Sequence, residues 1–344
     1  MAQRDYRIAV VGATGIIGKT LLEVLFSRRF PVKTLAAFAS SRSAGQNVLF
    51  GARSIRVEEA GQADFSAFDL AFFCVGTEVS QRHIPRATQA GCVVIDKSPV
   101  FREHPAVPLI VPELNGSILK EGAPLGIVSN PNCVAIPLSM TLEPLKAFGL
   151  KRAVVSTYQS VSGAGRDLVE ALRTQAADFL REKPETLESR QPIGFNVLPL
   201  IGAREADGSS GEEVKIVQET QKILHHSFGL CVTSVRVPVF LGHGLSVVAE
   251  CEREYALEEV RTRLQSLPGV ELREEPFCSP REAEGGDSVF VSRLRRDASV
   301  PHGIAFWVVS DNLRKGAATN GVQIAERLIE EDPTLSLFRR KEGA

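Results

Sequence analysis

Residues 7–18 read RIAVVGATGIIG. The run Arg7–Gly12 has the apolar density of a buried strand, and Ile16–Ser27 carries apolar residues at helical spacing. The glycines therefore fall in the turn that joins strand to helix. Glycine serves three ends in such a turn: the tight bend, close approach of the backbone to a pyrophosphate, and close packing of helix on strand. Free N–H groups and the positive end of the helix dipole then favour an anion. A tight turn without a ligand could use the same residues. The strand–turn–helix context favours a dinucleotide, held by Gly12, Thr14, Gly15, Ile16, Ile17 and Gly18.

Further strands are predicted at Thr34–Ala39, Leu70–Gly76, Cys92–Ile95 and Gly126–Ser129, with a helix over Glu78–Ala90. Strand and helix in alternation imply right-handed crossovers and a mostly parallel sheet, an α/β unit of Rossmann-like form. The second strand is followed by Ser40-Ser41-Arg42-Ser43-Ala44-Gly45. A site selecting NAD usually places an acid there for the ribose hydroxyls. Ser40, Arg42 and Ser43 offer hydroxyls and a guanidinium instead, which suits a 2′-phosphate, so NADP(H) is the expected cofactor. An ordinary polar loop is the alternative.

Beyond Cys133 the pattern changes. A helix is predicted over Pro137–Phe148, a strand over Arg152–Tyr158, and amphipathic helices over Asp167–Arg181 and Glu212–His225, with a Pro/Gly-containing stretch, Pro184–Ser210, between them. Strand-like runs follow at Cys231–Phe240, Leu245–Glu252, Val270–Glu274, Val289–Arg295 and Gly303–Ser310, and a helix from about Ala317 to Glu331 closes the chain. Runs of strands with segregated helices predict an α+β unit with a mixed, largely antiparallel sheet.

The 344 residues suggest two domains at about 150 residues each. A hydrophobic content of 44% with a net charge of −1 argues against disorder. The 40 Lys+Arg and 41 Asp+Glu balance, which leaves no global basic field for nucleic acid. No run reaches the ~18 apolar residues that span a bilayer. The N-terminus has neither signal-peptide nor transit-peptide character, so a cytoplasmic protein without membrane contact is expected. Six cysteines without CxxC or CxxxxH pairing argue against a disulfide framework and against a metal site. Any cysteine that matters here acts as a thiol.

Ser129-Asn130-Pro131-Asn132-Cys133 opens a predicted helix. A cysteine at a helix N-terminus has its thiolate stabilised, and thiolates attack aldehydes and acyl phosphates. The Asn132 amide and the Cys133 N–H are candidate donors to an oxyanion. A buried structural thiol is the competing reading of Cys133. In Arg236-Val237-Pro238-Val239-Phe240-Leu241-Gly242-His243-Gly244, the glycine-flanked histidine suits proton transfer near neutrality. Arg236 ends an apolar strand, where a carboxylate ligand would compensate its charge. A structural salt bridge would do so equally.

These motifs, in this order, resemble the aspartate-β-semialdehyde dehydrogenase family. GATGIIG, SSRSAG, DKSPVFR, VPELN, SNPNC, STYQSVSGAG, FNVLP, EEVKIVQETQKIL, RVPVFLGH and DNLRKGAATNGVQIAE carry the likeness over nearly the whole chain. The resemblance implies interconversion of aspartate 4-semialdehyde and 4-phospho-L-aspartate with NADP(H) and phosphate as co-substrate, in the synthesis of lysine, threonine and methionine. It makes Cys133 the nucleophile, His243 the acid/base and Gln159 a group that orients substrate, beside Asn132. It gives the substrate carboxylate to Arg236, the amine to Glu212, and phosphate or the acyl phosphate to Arg102 and Lys215. It puts Ser162 and Gly163 near the nicotinamide and lets Asn320 reach the cofactor. The chain departs from the family's common pattern at Val134-Ala135-Ile136-Pro137, Lys97 and Gly244.

The expected architecture is an NADP-binding domain over residues 1–132, completed by 311–344, and a catalytic and dimerisation domain over 133–310. The open face of the second sheet is a natural subunit interface, and the resemblance implies a homodimer or tetramer. Two alternatives remain open. One is an enzyme like N-acetyl-γ-glutamyl-phosphate reductase, which usually has glycine where this chain has Asn132. The other is a catalytically silent binding paralogue, which loss of Cys133 or His243 would signal, and both are present.

Overall fold

The computed structural model describes residues 4–181 and 191–341. Its first elements are β1 (Tyr6–Val11), α1 (Ile16–Ser27), β2 (Val32–Ala39), β3 (Asn47–Phe50), β4 (Arg53–Glu59), β5 (Leu70–Phe73), α2 (Thr77–Gln89), β6 (Val93–Asp96), α3 (Pro112–Asn115) and β7 (Ile127–Ser129). Next come α4 (Ala135–Leu142), β8 (Leu150–Gln159), α5 (Arg166–Leu180), α6 (Gly211–Leu224), β9 (Gly229–Arg236) and β10 (His243–Cys251). The last are α7 (Leu257–Ser266), β11 (Val270–Leu272), β12 (Val289–Asp297), β13 (Gly303–Ser310) and α8 (Thr319–Glu331). The chain divides into two compact units, Met1–Asn132 with Ala317–Ala344, and Cys133–Gly316.

In the first unit, seven strands lie in the order β3-β4-β2-β1-β5-β6-β7. All neighbours are parallel except β3 and β4. Strand β1 shows why the run RIAVV is apolar at every step after its arginine. Ile8 and Val10 join Leu21, Leu22 and Leu25 of α1 and Val322 and Leu328 of α8 on one face. Ala9 and Val11 join Phe73 of β5 and Ile84 and Ala87 of α2 on the other. A strand covered on both faces loses the alternation of a half-exposed one. The hairpin β3–β4 was not predicted. Its pattern is broken by Arg53, Arg56 and Glu58, and it forms the sheet edge, where only one face of β3 is buried.

The second unit is built on six strands in the order β11-β12-β13-β10-β8-β9. Three pairings are antiparallel and two, β11/β12 and β8/β9, are parallel. The sheet is therefore mixed and largely antiparallel. Along β8, Ala153, Val155, Thr157 and Gln159 are buried, while Tyr158 faces the other way, 39% exposed. Tyr158 meets Trp307 with ring centroids 5.4 Å apart. All eight residues of α4 are buried, as expected of a helix apolar on every side.

Several boundaries differ from the sequence reading for local reasons. The predicted helix Pro137–Phe148 starts at Ala135 and tightens into a 3₁₀ turn at Glu143, just ahead of Pro144. The strand Cys231–Phe240 stops at Arg236, because Pro238 has no N–H to give a ladder. Helix α7 was not anticipated, since it is mostly polar and buries only Val260 and Leu264. Residues Asp311–Gly316 belong with the second unit and not with the returning segment 311–344. Asp311 accepts N–H bonds from Gly285, Leu313 and Arg314, and Asn312 accepts one from Gly242, all within that unit. Of the stretch Pro184–Ser210, residues 184–190 lie outside the described residues. In its remainder Leu198 exchanges both backbone hydrogen bonds with Arg236, at 2.9 and 2.8 Å.

Candidate active site

Sheet register assembles the centre of the site. Gln159, the last residue of β8, pairs with Arg236, the last of the parallel strand β9, and with His243, the first of the antiparallel strand β10. Residues in register point to the same face, so three polar side chains distant in sequence stand side by side at one end of the sheet. All are buried: Gln159 is 1% exposed, His243 1% and Arg236 8%.

Each member of this row is held. Gln159 accepts a bond from the Thr157 hydroxyl (3.0 Å) and donates Nε2–H to Glu212 (3.2 Å). Glu212 lies in the first turn of α6, where the helix dipole favours an acid. Lys215, one turn on, stands 3.8 Å from the same carboxylate. The start of α6 is fixed by a capping box between Ser210 and Glu213. The second carboxylate oxygen of Glu213 takes the Ser234 N–H of β9 (2.8 Å), which ties helix to strand. Arg236 donates Nη1–H to the Ser160 carbonyl (2.7 Å). Burial lowers the Arg236 pKa, while Cys133 and Glu212 raise it. The guanidinium is thus a buried cation that feels both the thiol and the acid.

His243 is as enclosed as Gln159. Its Nδ1 accepts the Ser160 N–H at 3.1 Å. Its Nε2 is buried without a hydrogen-bond partner among the described residues. Burial pushes the imidazole pKa down to about 3, the charge of Arg236 adds to this, and the Gly242 backbone offsets part of it. His243 is therefore neutral near pH 7. The unfolded chain protonates this side chain near pH 6.5 and the folded chain only near pH 3, so stability falls with acid across that interval. The expected cost is about 1.4 kcal/mol per pH unit. His243→Gln should remove this slope, and urea unfolding of both proteins between pH 4 and pH 7 measures it. Parallel curves would show that the imidazole is not buried in the neutral form.

Two glycines shape the site. A Cβ on Gly163 would stand 3.4 Å from both Nη1 of Arg236 and Nε2 of His243. A Cβ on Gly316 would stand 3.1 Å from Cβ of Cys133. The sequence reading passed over Gly316, whose only signal is its place in DNLRKGAATN. Gly163→Ala should fold normally, because its backbone is not in the left-handed region, yet lower kcat about tenfold by covering the two polar ends. Unchanged steady-state kinetics would mean that the space beside Gly163 is not used. Cys133 is half-buried in a turn two residues ahead of α4, so the predicted helix N-terminus lies just beyond it.

In the first unit, a cavity of about 610 Å³ is lined by Gly12, Thr14, Gly15, Ser40, Ser41 and Glu59, among others. Gly12 has φ +87°, and a Cβ there would lie 2.4 Å from the Cys74 carbonyl oxygen. A Cβ on Gly18 would lie 2.2 Å from the Gly12 oxygen. No side chain caps α1, which begins at Ile16 and Ile17 behind Gly15. A cradle of bare backbone at a helix start fits a pyrophosphate.

Other predicted cofactor residues sit apart from this lining. Arg42 is exposed, and Ser43 is half-buried in the following turn, its N–H on the Ser40 carbonyl (2.9 Å). Asn320 is wholly buried and donates to the Ile110 carbonyl and to Asn130 Oδ1, each at 3.0 Å. Its side chain thus braces the SNPN segment rather than the cavity. Glu59 was missed: it ends β4 as the register partner of Ala39, beside the tip of β2 where an acid was sought and not found. Ser162 is buried with its hydroxyl turned to Ser160 and Asn312. Arg102 and Asn132 belong to the first unit, and Arg102 donates to the Lys97 carbonyl (2.6 Å). Among the described residues, no group of three His, Cys, Asp or Glu side chains is arranged to hold a metal, and no helix is long and apolar enough to cross a membrane.

Comparison with known proteins places this geometry. Residues 7–122 match the family model described as semialdehyde dehydrogenase, NAD binding domain, and residues 142–315 match semialdehyde dehydrogenase, dimerisation domain. The aspartate-semialdehyde dehydrogenase of Rickettsia conorii is 45% identical over 332 residues, covering 95% of this chain and 98% of its own. The chain belongs to the aspartate-semialdehyde dehydrogenases. The Aquifex aeolicus enzyme of that name is 43% identical, covering 95% of this chain and 98% of its own. A crystal structure of aspartate semialdehyde dehydrogenase II from Vibrio cholerae, complexed with ASA, superposes with a TM-score of 0.92 at 42% identity, covering 96% and 99% of the two chains. The chain is thus an oxidoreductase of amino-acid biosynthesis with an NAD(P)-binding Rossmann domain.

Proposed function

We propose that this chain catalyses the phosphate-dependent, NADP-linked interconversion of L-aspartate 4-semialdehyde and 4-phospho-L-aspartate through a thioester on Cys133. The observation that carries this reading is the buried row Arg236–Gln159–His243, with Glu212 bonded to Gln159 and Cys133 acting electrostatically on Arg236. The substrate offers a carboxylate, an ammonium and an aldehyde, and this site offers a guanidinium, an acid and a thiol. Arg236 takes the α-carboxylate as a planar fork. Glu212 meets the ammonium, and Gln159 holds Glu212 in place. Lys215 and Arg102 serve the phosphate.

The Cys133 thiolate adds to the aldehyde carbon, His243 serves as the acid/base, and the Asn132 amide is assigned as a donor to the developing oxyanion. NADP, held in the backbone cradle at Gly12–Gly18, would supply the hydride acceptor for this carbon. Phosphate oxygen then displaces the sulfur and regenerates the thiolate. Ser40 and Ser41 in the cavity, with Arg42 and Ser43 in the following turn, support NADP over NAD. The outward sheet face that carries Tyr158 supports a homodimer, and the composition supports a cytoplasmic enzyme.

The test is reduction of NADP by the purified protein with aspartate semialdehyde, with and without phosphate. Phosphate-dependent turnover supports the reading. Turnover only with N-acetylglutamate semialdehyde would reassign the substrate, and equal rates with NAD would remove the cofactor preference.

A further inference from the structure

The carboxylate of Glu59 lines the dinucleotide cavity and takes no part in the proposed reaction. Its place follows from the sheet. Gly12 follows β1 and gives its N–H to the Phe38 carbonyl of β2 (2.8 Å), and Ala39, next along β2, is the register partner of Glu59 in β4. The glycine cradle, the tip of β2 and Glu59 therefore stand in line along the carboxyl edge of neighbouring strands β1, β2 and β4. Two strand spacings are about 9–10 Å, the reach of a phosphate–ribose–base unit. A pyrophosphate on the cradle puts the adenosine ribose at the tip of β2, beside Ser40 and Ser41, because that is where a dinucleotide site reads its ribose. The base then falls one strand further out, at Glu59.

The wall at that point suits a flat heterocycle. Ala39 and Ala60 are small, and Val75 and Val79 line the same cavity from the β5–α2 side. A Cβ on Gly61 would stand 3.5 Å from Oε1 of Glu59, so the bare glycine leaves that side of the carboxylate open. The cations of α2 are engaged elsewhere. Arg86 gives Nη1–H to the Gly61 carbonyl (3.2 Å) and Nη2–H to the Ala63 carbonyl (3.3 Å), which pins the turn to the helix. Arg82 pairs with Glu78 at 3.1 Å. Glu59 precedes the 3₁₀ turn Ala60–Gln62, but its side chain does not cap that turn. Its hydrogen bond among the described residues is one long contact, from Gln62 Nε2 to Oε2 at 3.4 Å, which leaves Oε1 for a ligand. We infer that Glu59 reads the base: its carboxylate accepts the exocyclic amine of adenine, so that the cofactor is selected at its base as well as at its ribose. The inference rests on the NADP reading above and names the residue that recognises the adenine. On an adenine joined to ribose, that amine is the one hydrogen-bond donor, and the ring nitrogens are acceptors that a carboxylate disfavours. The same negative charge keeps a 2′-phosphate at the tip of β2 and away from Glu59.

The test is direct binding, read by the fluorescence of reduced nicotinamide, of NADPH and of its hypoxanthine analogue, in which a carbonyl oxygen replaces the amine. The intact protein should bind the analogue about tenfold to hundredfold more weakly, the scale of a hydrogen bond to a charged group left unmade. Glu59 is half-buried at a strand end, so Glu59→Gln should leave the fold intact. The glutamine amide can offer a matching atom to either base, and it should bring the two affinities to within about threefold, the scale of a neutral hydrogen bond. Equal binding of both ligands by the intact protein overturns the inference. So does a Glu59→Gln protein that binds both more weakly with their ratio unchanged, which is what a merely structural acid would give. A variant whose NADPH-to-NADH ratio moves while its base preference stays would put the carboxylate at the ribose, and this too overturns the inference. Base preference that is present in the intact protein and lost in the variant, without phosphate-dependent turnover, would uphold the inference and count against the proposed reaction.

Discussion

Cys133→Ala is expected to abolish turnover, by roughly 10⁴-fold or more, while far-UV circular dichroism and NADP binding stay as they are. The thiol is half-buried in a turn, so removing its sulfur opens no large cavity. The cofactor cavity is formed by other residues of the first unit. Nothing else in the site replaces the nucleophile. Cys74, Cys92, Cys251 and Cys278 have their thiol pKa values raised by burial, so they carry little thiolate near neutrality. Activity comparable to the parent would remove Cys133 from the mechanism and return it to the class of structural thiols.

Arg236→Lys is expected to raise KM for semialdehyde about tenfold to hundredfold, with the larger part of the effect in KM and not in kcat. That range corresponds to the loss of one charge-assisted hydrogen bond, about 1.5–3 kcal/mol. Lysine keeps the charge but presents a point donor where the guanidinium presents a planar fork. In the parent, one nitrogen of the fork is committed to the Ser160 carbonyl, and the rest of the fork remains for a carboxylate. Initial rates against semialdehyde concentration at saturating NADP and phosphate measure the change. An unchanged KM would make Arg236 a structural arginine that only braces Ser160.

The remaining expectations are smaller or more local, and they bear on different atoms. Gly163→Ala tests the space in front of Arg236 and His243. The acid slope of His243→Gln tests whether the ring is buried neutral.

Much of this was legible before the fold. The strand RIAVVG and the turn glycines are local features, and the constraint on Gly12 arises within the β1–α1 unit and the neighbouring tip of β5, so periodicity and residue type were enough. Cys133, Arg236, His243, Gln159, Glu212 and Lys215 stand in motifs whose collinear order identified the family. Other features left no such trace. Glu59 enters the cofactor cavity only because β4 pairs with β2, and an acid ending a charged strand has nothing in sequence to mark it. Asn320 and Ser162 carry side chains that looked free for a ligand, yet each is turned into a buried hydrogen-bond set.

The amino-acid sequence by itself determined the two-unit α/β organisation, the backbone cradle of the first turn, and which chemical groups the site has to work with. These follow from hydrophobic period, from the absence of a Cβ, and from side-chain chemistry, all properties of a residue and its near neighbours. Tertiary structure alone decided how those groups face one another. Gln159, Arg236 and His243 form one row because β8 pairs parallel with β9 and antiparallel with β10 in a single register, and a slip of one residue would turn them to opposite faces. The backbone N–H bonds that brace the site likewise cross long separations, from Gly242 to Asn312 over 70 residues and from Ser160 to His243 over 83. Such bonds are a property of assembled neighbours, so they exist only once the strands have met.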